Sequence, residues 1–257
     1  MTSSTNGHTG PVTPTPGTPS NPDSTGSGAN SGADTSAEQL TGDLGEAWRA
    51  VLGTSEGAQA AVADLLARYA EPHRVYHGLN HLSDVLERID EIGGEADDEG
   101  AVVLAAFFHD AVYEPLAGSA VEGDGAGPDN EERSARLAES ALSAVGAGDR
   151  VTEVVRLVRL TRTHAPDRDD RNGGVLCDAD LAVLGSSPAD YGAYAAAVRE
   201  EYRAVDDDAF AAGRSAILRA LLERPAIFWT QLGYERWEAR ARRNLDAELT
   251  LLAASTG

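Results

Sequence analysis

The sequence predicts an all-α fold, and two observations carry that prediction. From Leu44 almost to the C-terminus, apolar residues recur at helical spacing. No stretch of period-two alternation is long enough for a sheet, and no internal repeat divides the chain.

Ahead of this pattern, residues 1–40 are rich in Ser, Thr, Pro and Gly, with almost no large apolar side chain. Such a segment cannot bury enough surface to offset its ordering entropy, so a disordered tail is expected there, with one helical domain over 41–257. Ala47-Trp48, Val51-Leu52 and the run from Ala61 to Tyr69 give one or two opening helices. Glu71-Pro72 closes them, because proline disfavours helix in the residue before it. Asn80 to Ile92 forms the next helix, ended by Gly93-Gly94. Ala101 to Val112 is apolar on nearly every face except at His109-Asp110, which predicts a buried central helix with a polar pair in its last turn.

Asp129 opens another helix, with Glu132 as its capping-box partner, and Gly146 and Gly148 stop it near Val145. Val151 to Thr163 continues the bundle. Gly173-Gly174 precedes a short segment from Val175 to Leu184, and Ser187-Pro188 caps a helix reaching Val205. Ala209 to Leu222 follows, and Tyr234 to Leu252 closes the domain with an exposed face of i,i+4 Arg and Glu pairs. The Gly-rich, acidic stretch from Leu116 to Pro128 reads as a mobile insertion near the site.

The formal net charge is −21, and every basic side chain is arginine, since the chain has no lysine. That sign disfavours bulk nucleic acid and anionic membrane surfaces, but not a small nucleotide in an arginine-lined pocket. The sequence has neither the basic start and apolar run of a signal peptide nor an apolar stretch long enough to span a bilayer, so a soluble, cytoplasmic protein is expected. Cys177 is the single cysteine, which excludes an intramolecular disulfide and any Cys-based zinc cluster. Histidine and carboxylate must supply any metal site.

Five of the six histidines fall in the expected domain, each beside other polar residues. His77 and His81 are four apart, so a helix through both would project the rings from one face, a geometry that suits a metal or a phosphate. A helix starting near Asn80 leaves His77 in the turn before it, and a hydrogen-bonding surface is the plainer reading of the pair alone. His109-Asp110 is different. Burying an ionisable pair after Val102-Val103-Leu104-Ala105-Ala106-Phe107-Phe108 costs several kcal/mol unless a partner or a cation compensates. Asp178 and Asp180, set among Leu176, Leu181, Val183 and Leu184, repeat that anomaly, and helix capping explains one of the two.

The order His81, His109-Asp110, Asp180 resembles the H…HD…D signature of the HD superfamily of metal-dependent phosphohydrolases. The runs Tyr76-His77-Gly78-Leu79-Asn80-His81, Phe108-His109-Asp110-Ala111-Val112-Tyr113, Asp129-Asn130-Glu131-Glu132-Arg133-Ser134-Ala135 and Asp178-Ala179-Asp180-Leu181-Ala182-Val183-Leu184-Gly185 are similar to a small bacterial branch of predicted hydrolases, over roughly Leu44 to Leu252. The resemblance implies an HD-domain helical bundle and a divalent ion, Mn, Fe, Co, Ni, Mg or Zn, on His81, His109, Asp110 and Asp180. It implies hydrolysis of a small phosphate ester, a nucleotide being one candidate, through an activated water. His164 then contacts the phosphate or acts as general acid, His77 and Asp178 orient ligands, and Arg74, Arg133, Arg162 and Arg214 are candidate phosphate contacts. Asn130-Glu131 stands where relatives with two metals often have His-Glu, which favours one ion, with Glu131 assisting. Two alternatives stay open: a regulatory module that binds metal and nucleotide without turnover, and a di-iron oxygenase built from His77, His164 and Glu131. Neither substrate, metal nor oligomeric state is legible.

Overall fold

The computed structural model describes residues 31–115 and 129–255, so most of the expected tail and the whole expected insertion from Leu116 to Pro128 lie outside the described residues. Every regular element among the described residues is helical. In chain order they are α1 (Ser31–Leu52), α2 (Glu56–Tyr69), α3 (Leu79–Ile92), α4 (Glu99–Phe108), α5 (Asn130–Ala144), α6 (Gly148–Leu160), α7 (Arg171–Leu181), α8 (Pro188–Glu201) and α9 (Asp207–Leu222). A single turn, α10 (Gln231–Gly233), runs through a π-helical stretch at Tyr234–Glu238 into α11 (Ala239–Ser255). No helix among the described residues is long and apolar enough to cross a membrane.

The helix that is apolar on all sides occupies the middle. Val102, Leu104, Ala105, Ala106, Phe107 and Phe108 of α4 have no exposed surface, and α1, α3, α5, α6 and α7 pack around them. Trp48 of α1 lies edge-on to Phe107 and anchors its indole N–H on the Ala58 carbonyl at 2.9 Å. Side-chain caps set many of the starts: Asp98, Asp129, Asp170, Ser187 and Asp206 each accept the backbone N–H three residues on.

Several boundaries differ from the sequence-based expectation, each for a local reason. The opening helix reaches back to Ser31, across residues assigned to the tail, and Leu40 packs against the core. The central helix stops at Phe108 rather than Val112, because the N–H groups of Asp110, Ala111 and Val112 go to the Tyr69 hydroxyl, the Phe108 carbonyl and Ser134 Oγ. Gly173 and Gly174 lie inside α7 instead of ahead of it: Asp170 caps the helix, and a Cβ on Gly173 would meet Leu160 Cδ2 at 2.6 Å, so the glycine permits that close approach. Glu132 does not complete a capping box, since its carboxylate pairs with Arg136 and Arg159. The helix after Ser187-Pro188 ends at Glu201, four residues before Val205.

Mutual packing of α3, α4 and α7 decides where the site lies. It brings the first turn of α3, the C-terminal end of α4 and the last turn of α7 to one place.

Candidate metal centre

His81 comes from the first turn of α3, His109 caps the C-terminus of α4, Asp110 follows it, and Asp180 lies in the last turn of α7. His81 Nε2 is 3.1 Å from His109 Nε2 and 3.3 Å from Asp180 Oδ1. Asp110 Oδ2 is 3.1 Å from His109 Nε2 and 3.6 Å from His81 Nε2, while Asp180 Oδ1 is 3.7 Å from His109 Nε2. Ligand atoms of His81, His109 and Asp110 all lie within 4.8 Å of one another. Two donors bound at about 2.1 Å to one ion stand about 3.0 Å apart at a right angle and about 3.4 Å apart at the tetrahedral angle. His81, His109 and Asp110 therefore have the spacing and the chemistry of a borderline-hard divalent site, and Asp180 Oδ1 borders them on the side of the two imidazoles.

The surroundings fix the ligand orientations. His109 Nδ1–H donates to the Ala106 carbonyl at 2.7 Å, which leaves Nε2 as the lone-pair nitrogen facing the cluster. His164 Nε2 is 2.8 Å from Asp180 Oδ2, so the outer oxygen of that carboxylate is held while Oδ1 faces the imidazoles. His164 has φ of 46°, a left-handed conformation that an imidazole residue rarely adopts, and Arg224 clamps it by donating to its carbonyl at 2.7 Å.

Charge in the cluster is strongly coupled. Burial disfavours a charged His81, but the carboxylates of Asp110 and Asp180 outweigh it and push the imidazole up to about 10. His109 moves upward too, against its burial, through the same two carboxylates. Asp110 and Asp180 go well below the ordinary carboxylate range despite burial, drawn down by His109 and the neighbouring imidazoles. A cation placed among these groups replaces protons that the field already holds.

Beside the cluster lies a cavity of about 310 Å³, lined by His77, His109, Asp110, His164 and Asp180 together with Tyr76, Tyr113, Tyr194, Tyr202, Asn130 and Glu131. Among the described residues lining it there is no arginine. Burial raises the pKa of Glu131 and of the Tyr113 phenol, keeping both toward their neutral forms.

Not every residue singled out from the sequence joins the centre. Asp178 points elsewhere: its carboxylate accepts the backbone N–H groups of Trp229 and Thr230 and the Thr230 hydroxyl, at 2.7–3.1 Å, tying α7 to the start of α10. Burial pushes its pKa up to about 7 against those hydrogen bonds. Capping is thus its role, toward another segment rather than its own helix. Asn130 spends both ends of its amide on the Glu114 backbone. Arg133 pairs with Glu114, Arg162 with Asp129, and Arg214 with Glu248 and Tyr194.

Arg74 is a brace and not a phosphate contact. Its side chain is fully buried and donates to the carbonyls of His77, Asp110 and Ala111 and to Glu71, locking the turn before α3 onto the His109-Asp110 turn. His73 Nε2–H donates to the Tyr113 carbonyl, 2.8 Å away, on the outer side of the same turn.

Sequence reasoning missed Glu201. Its buried carboxylate meets His77 Nδ1 at 2.6 Å, yet in sequence it is one of two consecutive glutamates in a helical run, and nothing distinguishes it from Glu200. Comparison with protein-family models, with curated proteins and with solved structures finds no match to this chain.

Proposed function

We propose that this chain is a metal-dependent hydrolase of phosphate esters, acting on a small phosphorylated molecule. One observation carries the reading: the imidazoles of His81 and His109 lie 3.1 Å apart, and each is 3.1–3.7 Å from the carboxylates of both Asp110 and Asp180 in a largely buried setting, where the charges are costly without a cation between them. The H…HD…D order of the same residues supports it. When bound, a divalent cation supplies Lewis-acid stabilisation of phosphoryl oxygens and acidifies water. His81, His109, Asp110 and Asp180 would hold it. The Ala106 carbonyl fixes the His109 tautomer, His164 steadies Asp180, and Arg74 keeps the Asp110 turn in register.

A second cavity of about 640 Å³ also reaches His81 and Asp180 and has Arg88 and Arg240 in its lining, so counter-charge for a phosphate stands within reach of the residues that would hold the ion. The commitment of the Asn130 amide to Glu114 removes that side chain as a holder of a second ion.

Metal analysis of the purified protein, then phosphate release over a panel of phosphomonoesters and nucleotides with the metal found, tests the proposal. Asp110→Ala is expected to lose metal and activity together. Full turnover by that variant at normal metal content would reject the assignment. Metal and nucleotide binding with no phosphate released would instead favour the regulatory module.

A further inference from the structure

We infer that the larger cavity, of about 640 Å³, seats the body of the ester and that Arg240 at its mouth binds a second anionic group on the substrate, an inference that rests on the hydrolase reading. Two cavities reach the cluster. Asp180, Tyr76 and Tyr194 line both, His109 and Asp110 only the smaller, and His81 only the larger. The rings of Tyr76 and Tyr194 meet at 4.6 Å and form the wall that the two cavities share. Displacement at phosphorus needs room on two sides of the reacting atom, for water and for the departing group. The larger cavity has the volume for an organic group, within the range that small-molecule sites span.

Depth in this cavity runs along α3. His81 is buried and lies at the floor, Asp84 and Val85 come one turn on, and Arg88 comes two turns on, all on one face of the helix. Seven residues at about 1.5 Å each put Arg88 about 10 Å from His81 along the axis. On another wall, the π-helical stretch at Tyr234–Glu238 brings Trp237 into the lining, where Gly185 lets it approach: a Cβ on that glycine would lie 2.4 Å from Trp237 Cβ. Arg236 of the same stretch binds Glu91 at 2.5 Å, which sets this wall against the Arg88 end of α3. Arg240 follows four residues later and is exposed, so it stands at the mouth and not at the floor.

Charge along the cavity decides what each level takes. Asp84 repels an anion at mid-depth, where Val85, Val183, Ala193 and Ala197 suit an apolar chain. Asp190 is occupied, accepting the Ser187 hydroxyl at 2.7 Å. Arg88 is shared with Glu87 and Glu91. Arg240 has no hydrogen bond or ion pair among the described residues, although the chain carries 42 acidic side chains against 21 basic ones. Its guanidinium is therefore the counter-charge open to a carboxylate or a phosphate about 10 Å from the reacting phosphorus, and the substrate is a phosphate monoester that carries one.

Non-hydrolysable phosphonates test this apart from turnover. Calorimetry on the metal-loaded protein compares heptylphosphonate with the same chain ending in a carboxylate or in a second phosphonate. The terminal anion is expected to tighten binding about five- to tenfold, a gain that fades at high salt. Arg240→Gln should remove the preference, bringing the three compounds within about twofold of one another. A propyl chain is too short to reach the mouth, so a terminal carboxylate should add nothing to propylphosphonate. Ala197→Met should weaken the heptyl compounds relative to methylphosphonate, because its side chain takes the space they fill. A gain confined to one of the two terminal groups supports the inference and identifies the anion. Equal affinities in the wild type, a preference that survives Arg240→Gln, or heptyl binding indifferent to Ala197→Met would each overturn it while leaving the hydrolase reading intact. So would no binding of any of these phosphonates. If the preference holds but the corresponding phosphate esters release no phosphate, the anion site stands and the hydrolase reading falls.

Discussion

Replacing Arg74 by methionine removes a buried guanidinium while keeping most of its volume, and the structure sets the cost. Four hydrogen bonds disappear: to the carbonyls of Asp110 at 2.6 Å, His77 at 3.1 Å and Ala111 at 3.2 Å, and to the Glu71 carboxylate at 3.1 Å. Glu71 is 41% exposed, so losing that pair costs less than about 1 kcal/mol. The carbonyls decide the outcome. A buried acceptor left without a donor costs about 1–3 kcal/mol, and methionine offers these three nothing in return. Replacing a buried ion by an apolar side chain recovers its desolvation penalty, which trims the sum to about 3–5 kcal/mol, the usual range when one partner of a buried network is removed. Urea and thermal unfolding should show that loss, a fall in Tm of about 10 °C for a domain of this size. Arg74→Lys should recover only part of it, since an ammonium cannot reproduce the planar fork. Metal affinity should fall as well, because the Asp110 backbone loses its shortest anchor. A variant with unchanged stability and metal affinity but a raised KM would refute this reasoning and return Arg74 to the substrate.

Metal binding should compete with protons: Asp110 and Asp180 hold His81 at about 10 against its burial, above its ordinary 6.5, so protonated His81 stabilises the metal-free protein below about 6.5, and that contribution is lost as pH rises toward 10. Apparent metal affinity should then climb by up to about tenfold per pH unit for each proton displaced, and a gain in Tm on adding metal that is flat from pH 7 to 9 would contradict it. Glu201 is shifted the other way, its burial overcome by His77 and the backbone amides so that its pKa is drawn down to about 2. Its contribution, at most about 3 kcal/mol, is present above the unfolded value near 4.5 and is lost as pH falls toward 2, so Glu201→Gln should flatten the acid limb of the stability profile. Gly185→Ala should cost about 1–3 kcal/mol, because its Cβ would lie 2.4 Å from Trp237 Cβ and 2.8 Å from Trp237 Cα, whereas Gly94→Ala meets nothing within 4 Å. Equal melting temperatures for those two variants would show that the approach at Gly185 has slack.

Helices were legible in the sequence because burial has a period. The unbroken apolar run before His109 predicts a helix buried on all sides, and the structure places α4 at the centre. Its end was less legible, since a period cannot see the Ser134 hydroxyl that takes the Val112 N–H from a helix that comes later in the chain. The four candidate ligands were legible for a different reason: ionisable residues in apolar surroundings need compensation, and that need shows in one dimension. It does not say where the compensation comes from. Asp178 and Asp180 carry the same local signal, yet one faces the imidazoles and the other caps Trp229 and Thr230, because residues two apart on a helix point in different directions.

What each polar residue does follows from which of its atoms is already taken. His109 offers Nε2 because Nδ1 is spent on a carbonyl three residues back, a partner within reach of local reasoning. His164 and His77 are held by partners that local reasoning cannot reach: Asp180 lies 16 residues from His164, and Glu201 lies 124 residues from His77. The arginines obey the same rule. Arg74, Arg133, Arg162 and Arg214 were candidates for phosphate because a phosphoryl group needs counter-charge, but in a chain of net charge −21 each of them has an oxygen partner nearer at hand. An excess of carboxylates takes up these four guanidinium groups, so the positive charge that faces an anion here has to come from a bound cation or from arginines outside those pairs, such as Arg240 in the lining of the cavity that reaches His81 and Asp180.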